Sequence, residues 1–122
     1  MRLITFGYRY KRDAPIGADI VFDARCLLED PAEKEELANF TGRDLPVIQY
    51  LNGLPDVQNF VVAAVGGAAP FSAKPFVVAV ACHSGRHRSV YIAERVAKIL
   101  GVEVEHLDMT RVPCEDFAPD CV

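Results

Sequence analysis

FVVAVACHSGRHRSVYIAERVAKILG, residues 76–101, decides the fold. Residues 76–82 form a near-continuous run of β-branched and small apolar side chains, the composition of a central parallel strand covered on both faces. Beyond it, Val90, Ala93, Val96, Ala97 and Leu100 recur at three- and four-residue intervals, and Gly101 follows as a C-terminal cap. Residues 87–100 are therefore expected as an amphipathic helix. A buried strand feeding a helix through a short polar turn is the unit from which parallel α/β sheets are built.

Working outward, RLITF (2–6) and ADIVFDAR (18–25) read as two further strands, and the alternating VEVEHLD (102–108) as an outer strand returning to the sheet. Residues 31–40 and 44–65 read as helical, with Pro31, Pro46 and Pro55 in first turns and Gly53 breaking the second stretch. GGAAPFSAKP (66–75) reads as a loop. There is no internal repeat. The expected architecture is α/β: a small three-layer fold with a mostly parallel sheet of about four strands and flanking helices. One domain is expected over residues 1–108, followed by an irregular acidic tail over 109–122.

The composition agrees. A chain of 122 residues, 51% apolar, suits one compact domain and leaves no room for a second. Thirteen basic against seventeen acidic residues give a net charge of -4, so no general attraction to nucleic acid or anionic membrane is expected. No stretch approaches the ~20 apolar residues of a membrane span, and the N-terminal apolar run is too short for a signal peptide. A cytoplasmic location is expected. Cys26, Cys82, Cys114 and Cys121 form no Cys-x2-Cys pair, so neither a metal site nor a disulfide framework is expected, and free thiols are the favoured state. No cofactor is implied.

The turn itself, CHSGRHRS (82–89), carries the chemistry. In open parallel sheets, ligands sit beyond the carboxyl ends of the strands, where a helix N-terminus offers unpaired N–H groups and a positive dipole end. Gly85 lets the backbone curl into a nest of amides, and Arg88 can close on phosphate oxygens with a two-pronged fork. His83, Arg86 and His87 add donors, while Ser84 and Ser89 can cap the helix or hold the loop. Arg9 and Arg25 end the two early strands, so parallel packing would bring them to the edge that carries Arg88. For Arg25, an ion pair with Asp23 is an equal alternative. The candidate ligand is a phosphorylated small molecule.

Cys-x5-Arg-Ser is also the pattern of cysteine-dependent phosphatases, which these eight residues resemble. That reading makes Cys82 the nucleophile, Arg88 the phosphate clamp and Ser89 the aid to the departing thiolate. It also needs a general acid, for which Asp23, Asp44 and Asp56 are the candidates.

A wider resemblance covers about Thr5 to His106. FGYRYKRDAPIGADIVFDAR, FTGRDLPV and CHSGRHRSVYIAERVAKIL together resemble the C-terminal domain of the RapZ family of bacterial RNase adapter and nucleotide-binding proteins. The resemblance implies an architecture related to a phosphofructokinase subdomain and a pocket for glucosamine-6-phosphate. It also implies small RNA and a ribonuclease as partners; a homo-oligomer is a separate candidate assembly. Carried onto this sequence, it marks Cys82, Ser84, Gly85, His87, Arg88 and Ser89, then Phe6, Gly7, Tyr8 and Arg9, then Asp23 and Arg25. It also marks Thr41, Gly42 and Asp44, for which a turn followed by an N-cap at Asp44 is the simpler reading.

Two departures bear on function. The family's Gly-x4-Gly-Lys-Ser/Thr phosphate loop has no counterpart in these residues. From Val102 onward six acids, Glu103, Glu105, Asp108, Glu115, Asp116 and Asp120, stand against Arg111 alone, which weakens the case for an RNA-binding adapter module. The remaining basic cluster is Arg9, Lys11 and Arg12.

Overall fold

The computed structural model of the chain describes residues 1–10, 17–27 and 29–110; Lys11, Arg12 and residues 111–122 of the expected acidic tail lie outside the described residues. Four strands, β1 (Arg2–Gly7), β2 (Ile20–Asp23), β3 (Val77–Cys82) and β4 (Val104–His106), form one sheet in the order β2-β3-β1-β4. Every pairing is parallel, with Gly7 opposite Cys82 and Asp23 opposite Ala81. Among the described residues three α-helices accompany the sheet: α1 (Leu45–Asn52), α2 (Pro55–Ala68) and α3 (Arg88–Leu100).

Topology explains where the helices lie. The connections β2 to β3 and β3 to β4 move across the sheet in the same direction, so right-handed crossovers put both on one face. The main core is there: Leu3, Val78 and Val80 from the sheet meet Val47 and Leu51 of α1, Val57 and Val61 of α2, and Ile92 and Val96 of α3. On the other face, Tyr8 just after β1 and Ala18 just before β2 pack against Ile4, Phe6, Ala79 and Ala81. Of the three layers expected, the described residues supply the helical layer and the sheet, and on the second face this smaller cluster.

Residues 87–100 behave as read, with Gly101 in the left-handed conformation (φ 69°) ending α3 and Val102 N–H reaching back to Ala97 O at 3.1 Å. Elsewhere the boundaries shift. The second strand is shorter than residues 18–25, because Asp23 accepts from Arg25 N–H and turns the chain into the 3₁₀ segment Ala24–Cys26. The outer strand shrinks to Val104–His106.

Residues 31–40 are not a helix beyond the short 3₁₀ segment Pro31–Glu33. That stretch buries only Pro31 and Leu37, too little to hold an isolated helix, and the carbonyls of Ala38 and Asn39 accept from His87 and Arg86 instead. Conversely, residues 66–75 are not all loop: α2 continues through Gly66 and Gly67 to Ala68, which is fully buried, and a 3₁₀ segment Ala69–Phe71 follows. No helix among the described residues is long and apolar enough to cross a membrane.

Candidate functional site

The loop of residues 83–87 leaves β3 at the carboxyl edge of the sheet and enters α3 at Arg88. Gly85 adopts φ 73°, which lets its amide turn back onto Cys82 Sγ at 3.3 Å. Arg86 N–H donates to Ser84 Oγ (3.3 Å), and the Cys82 thiol donates to Ser89 Oγ (3.2 Å). Cys82 and Ser89 are both buried. The amides of Ser84, His87 and Arg88 meet no acceptor among the described residues.

Two neighbours grip this loop. On the β1 side, Gly7 lies so close that a Cβ there would stand 2.4 Å from the Ser84 carbonyl, and the Gly7 amide donates to buried Asp108 Oδ2 at 2.7 Å. On the other side, Gly42 N–H donates to Arg86 O at 2.7 Å, and a Cβ on Gly42 would stand 2.4 Å from both His87 O and Tyr91 N. The turn that presents Gly42 is closed by Asp44, whose Oδ2 accepts from Thr41 N–H at 2.7 Å. Asp44 stands at the N-cap of α1 as expected, yet its side chain holds the preceding turn and caps no helix amide.

Arg88 is almost wholly buried, its side chain 5% exposed. Nη1 donates to Leu27 O (2.9 Å) and Nη2 to Asp30 Oδ2 (3.1 Å), while its Nε is buried and meets no hydrogen-bond acceptor among the described residues. His87 bridges the loop and the segment before α1: its Nδ1 lies 3.5 Å from Ser84 Oγ and its Nε2 donates to Ala38 O at 3.2 Å, while burial pushes its pKa below the ordinary 6.5, with Arg86 adding to the shift. Arg86 Nη2 likewise donates to Asn39 O at 3.3 Å. His83 is exposed, and Arg9 N–H donates to its carbonyl at 2.9 Å. Desolvation lowers the His83 pKa, as do Arg9, Arg88 and Arg25, against an opposing effect of Asp30. All three arginines thus act electrostatically on this one imidazole.

Arg25 makes the ion pair with Asp23, through Nε at 3.0 and 3.1 Å and Nη2 at 2.7 Å, and its guanidinium lies 3.7 Å over the Tyr8 ring. The bond from Arg25 holds Asp23 below the usual carboxylate range. Three residues of this site were not legible as such. Asp30 gave no signal; Asp108 counted only as one acid among six; Gly42 carried a motif whose purpose, the contact with the loop, depends on a segment 45 residues later.

A family model for the RapZ C-terminal domain matches residues 1–110. The chain belongs to the RapZ C-terminal domain family. Its relatives include a nucleotide-binding protein of Stutzerimonas stutzeri, 41% identical over 117 residues that cover 86% of this chain, and one of Ectopseudomonas mendocina, 40% identical over 118 residues and 87% of the chain. A third, from Pseudomonas putida, is 38% identical over 117 residues. This RapZ C-terminal domain spans about 40% of the length of each of these curated relatives.

Chemically, the loop of this RapZ C-terminal domain offers an oxyanion unspent amides and a buried guanidinium with one edge fixed and one donor unpaired among the described residues. For phosphoester cleavage it offers less. Asp23 is held ionised by Arg25, Asp44 is committed to its turn, and Asp56 stands in the first turn of α2 beside Leu27 and Glu29.

Proposed function

We propose that this domain is a non-catalytic binding and sensor module whose loop, residues 83–87, takes the phosphate of a small phosphorylated metabolite. The observation that carries this reading is the buried Nε of Arg88, without a partner among the described residues, beside a side-chain end fixed by Leu27 O and Asp30. An unsatisfied buried donor on a charged group costs about 1–3 kcal/mol or more, and an anion placed against it removes that cost. The amides of Ser84, His87 and Arg88 supply further donors at the positive end of α3. Arg9, Arg25 and His83 form the outer rim, whereas His87 and Arg86 hold the loop in place through Ala38 O and Asn39 O. Glucosamine-6-phosphate is the ligand that the family resemblance suggests, and a nucleotide is the one suggested by the relatives' name. An RNA or a protein would read the bound state.

Phosphorus NMR of the protein mixed with glucosamine-6-phosphate, adenosine monophosphate and an aryl phosphate tests this. The expected result is a shifted or broadened ester resonance that Arg88→Ala abolishes, with no orthophosphate growing in. Absence of any shift across the panel contradicts it.

One observation favours a second reading, the cysteine-dependent phosphatase: Cys82 Sγ accepts from Gly85 N–H and sits against Ser89 Oγ, the surroundings a thiolate needs. Orthophosphate that accumulates with the wild type and not with Cys82→Ser would establish it.

A further inference from the structure

We infer that Arg25, held flat between Asp23 and Tyr8, is a stacking platform for a nucleobase, so that the ligand of the loop is a nucleoside monophosphate. This rests on the loop being a phosphate site and goes on to name what is attached to the phosphate. Asp23 takes Arg25 through both Nε and Nη2, and the Tyr8 ring lies 3.7 Å from its Cζ. The two contacts fix the guanidinium plane in both tilt and rotation. One face and one edge are used, 49% of the side chain is exposed, and none of the partners found among the described residues covers the opposite face. A flat, weakly hydrated cation with one open face favours a π ring over a sugar or an alkyl chain.

Placement relative to the loop supports the same ligand. Tyr8 follows β1 and Arg25 follows β2, the two strands that flank β3. The Arg25–Tyr8 contact therefore reaches across the end of β3, where the loop begins. Neighbouring strands stand about 4.8 Å apart, so the platform is roughly one to two strand spacings from the loop amides. A nucleoside 5′-monophosphate can bridge that gap with its ribose. Arg9 N–H on His83 O and the packing of Gly7 on Ser84 tie the segment bearing Tyr8 to the loop, so platform and loop are held in one frame.

The test compares inorganic phosphate, ribose 5-phosphate, glucosamine-6-phosphate and adenosine 5′-monophosphate by calorimetry, on the wild type and on Arg25→Lys, which keeps the charge and loses the plane. Stacking one base strengthens binding on the order of tenfold, so adenosine monophosphate is expected to bind about that much more tightly than ribose 5-phosphate. Arg25→Lys should bring the two together by weakening adenosine monophosphate more than ribose 5-phosphate. Tyr8→Leu, which frees the plane, should act in the same direction. Equal binding of the two esters by the wild type overturns the platform and leaves the phosphate loop standing. Failure of all four to bind overturns both. A 5′-phosphorylated oligoadenylate that binds more tightly than the mononucleotide would keep the platform and assign it to the end of an RNA.

Discussion

Gly7 and Gly85 meet across the carboxyl end of the sheet: a Cβ on Gly85 would lie 2.6 Å from Gly7 N, and one on Gly7 2.7 Å from Gly85 N. Both obstacles are backbone, so neither can swing aside as a flexible side chain would. Gly7→Ala should therefore push the loop out of place, costing about 1–3 kcal/mol in urea unfolding and weakening phosphate-ester binding more than tenfold. Gly66→Ala is the control. It sits inside α2 with nothing within 4 Å of its would-be Cβ, and should stabilise by about 0.5–1 kcal/mol with binding unchanged.

Asp30 shares Arg88 with Leu27 O and also accepts from Ala32 N–H at 3.0 Å. Asp30→Ala leaves a guanidinium buried with one fewer acceptor. Stability should fall by about 1.5–3 kcal/mol, read from the denaturant midpoint, and ester affinity should fall with it because the Nε edge is no longer aimed.

Acid should destabilise the fold through its two loop histidines. The folded-state pKa values of His83 and His87 both lie below 6.5, so the unfolded chain binds more protons once the pH drops under that value. The stability associated with them is complete above about 6.5 and is lost as pH falls towards the folded-state values. Denaturant midpoints at pH 7.5 and 5.5 should differ in that direction. The difference should shrink in His87→Gln, whose amide can still donate to Ala38 O. A bound phosphate dianion should raise the His83 pKa again, visible in its imidazole proton shifts.

Cys82 faces inward, 1% exposed, and its sulfur is spent on Gly85 and Ser89. Cys82→Ser preserves a small acceptor there. Ester affinity measured by calorimetry should stay within about threefold of wild type, whereas a catalytic thiolate would show itself as lost phosphate release.

How far the sequence carries these conclusions differs from residue to residue. The run 76–101 was legible throughout, because an unbroken β-branched strand, a 3.6-residue stripe and a glycine cap agree with one another. Residues 31–40 were misread because their acidic and alanine-rich composition favours helix, while the carbonyls of Ala38 and Asn39 are taken by side chains of the distant loop. The arginines were legible as a group by their positions after strands. Their inequality was not: Asp30 and Leu27 O bury Arg88, whereas Tyr8 and Asp23 leave Arg25 half exposed, and each partner comes from a contact the sequence does not announce. Asp108 belongs to the same class, since its bond to Gly7 spans 101 positions.

The most direct measurement is the ¹H–¹⁵N resonance of Arg88 Nε during titration with inorganic phosphate, assigned by its loss in Arg88→Lys. The account predicts a large downfield proton shift and slowed exchange with water as the orphaned donor gains its acceptor, saturating together with the loop amides of Ser84 and His87. A resonance that stays where it is while phosphate saturates the protein elsewhere would contradict the site.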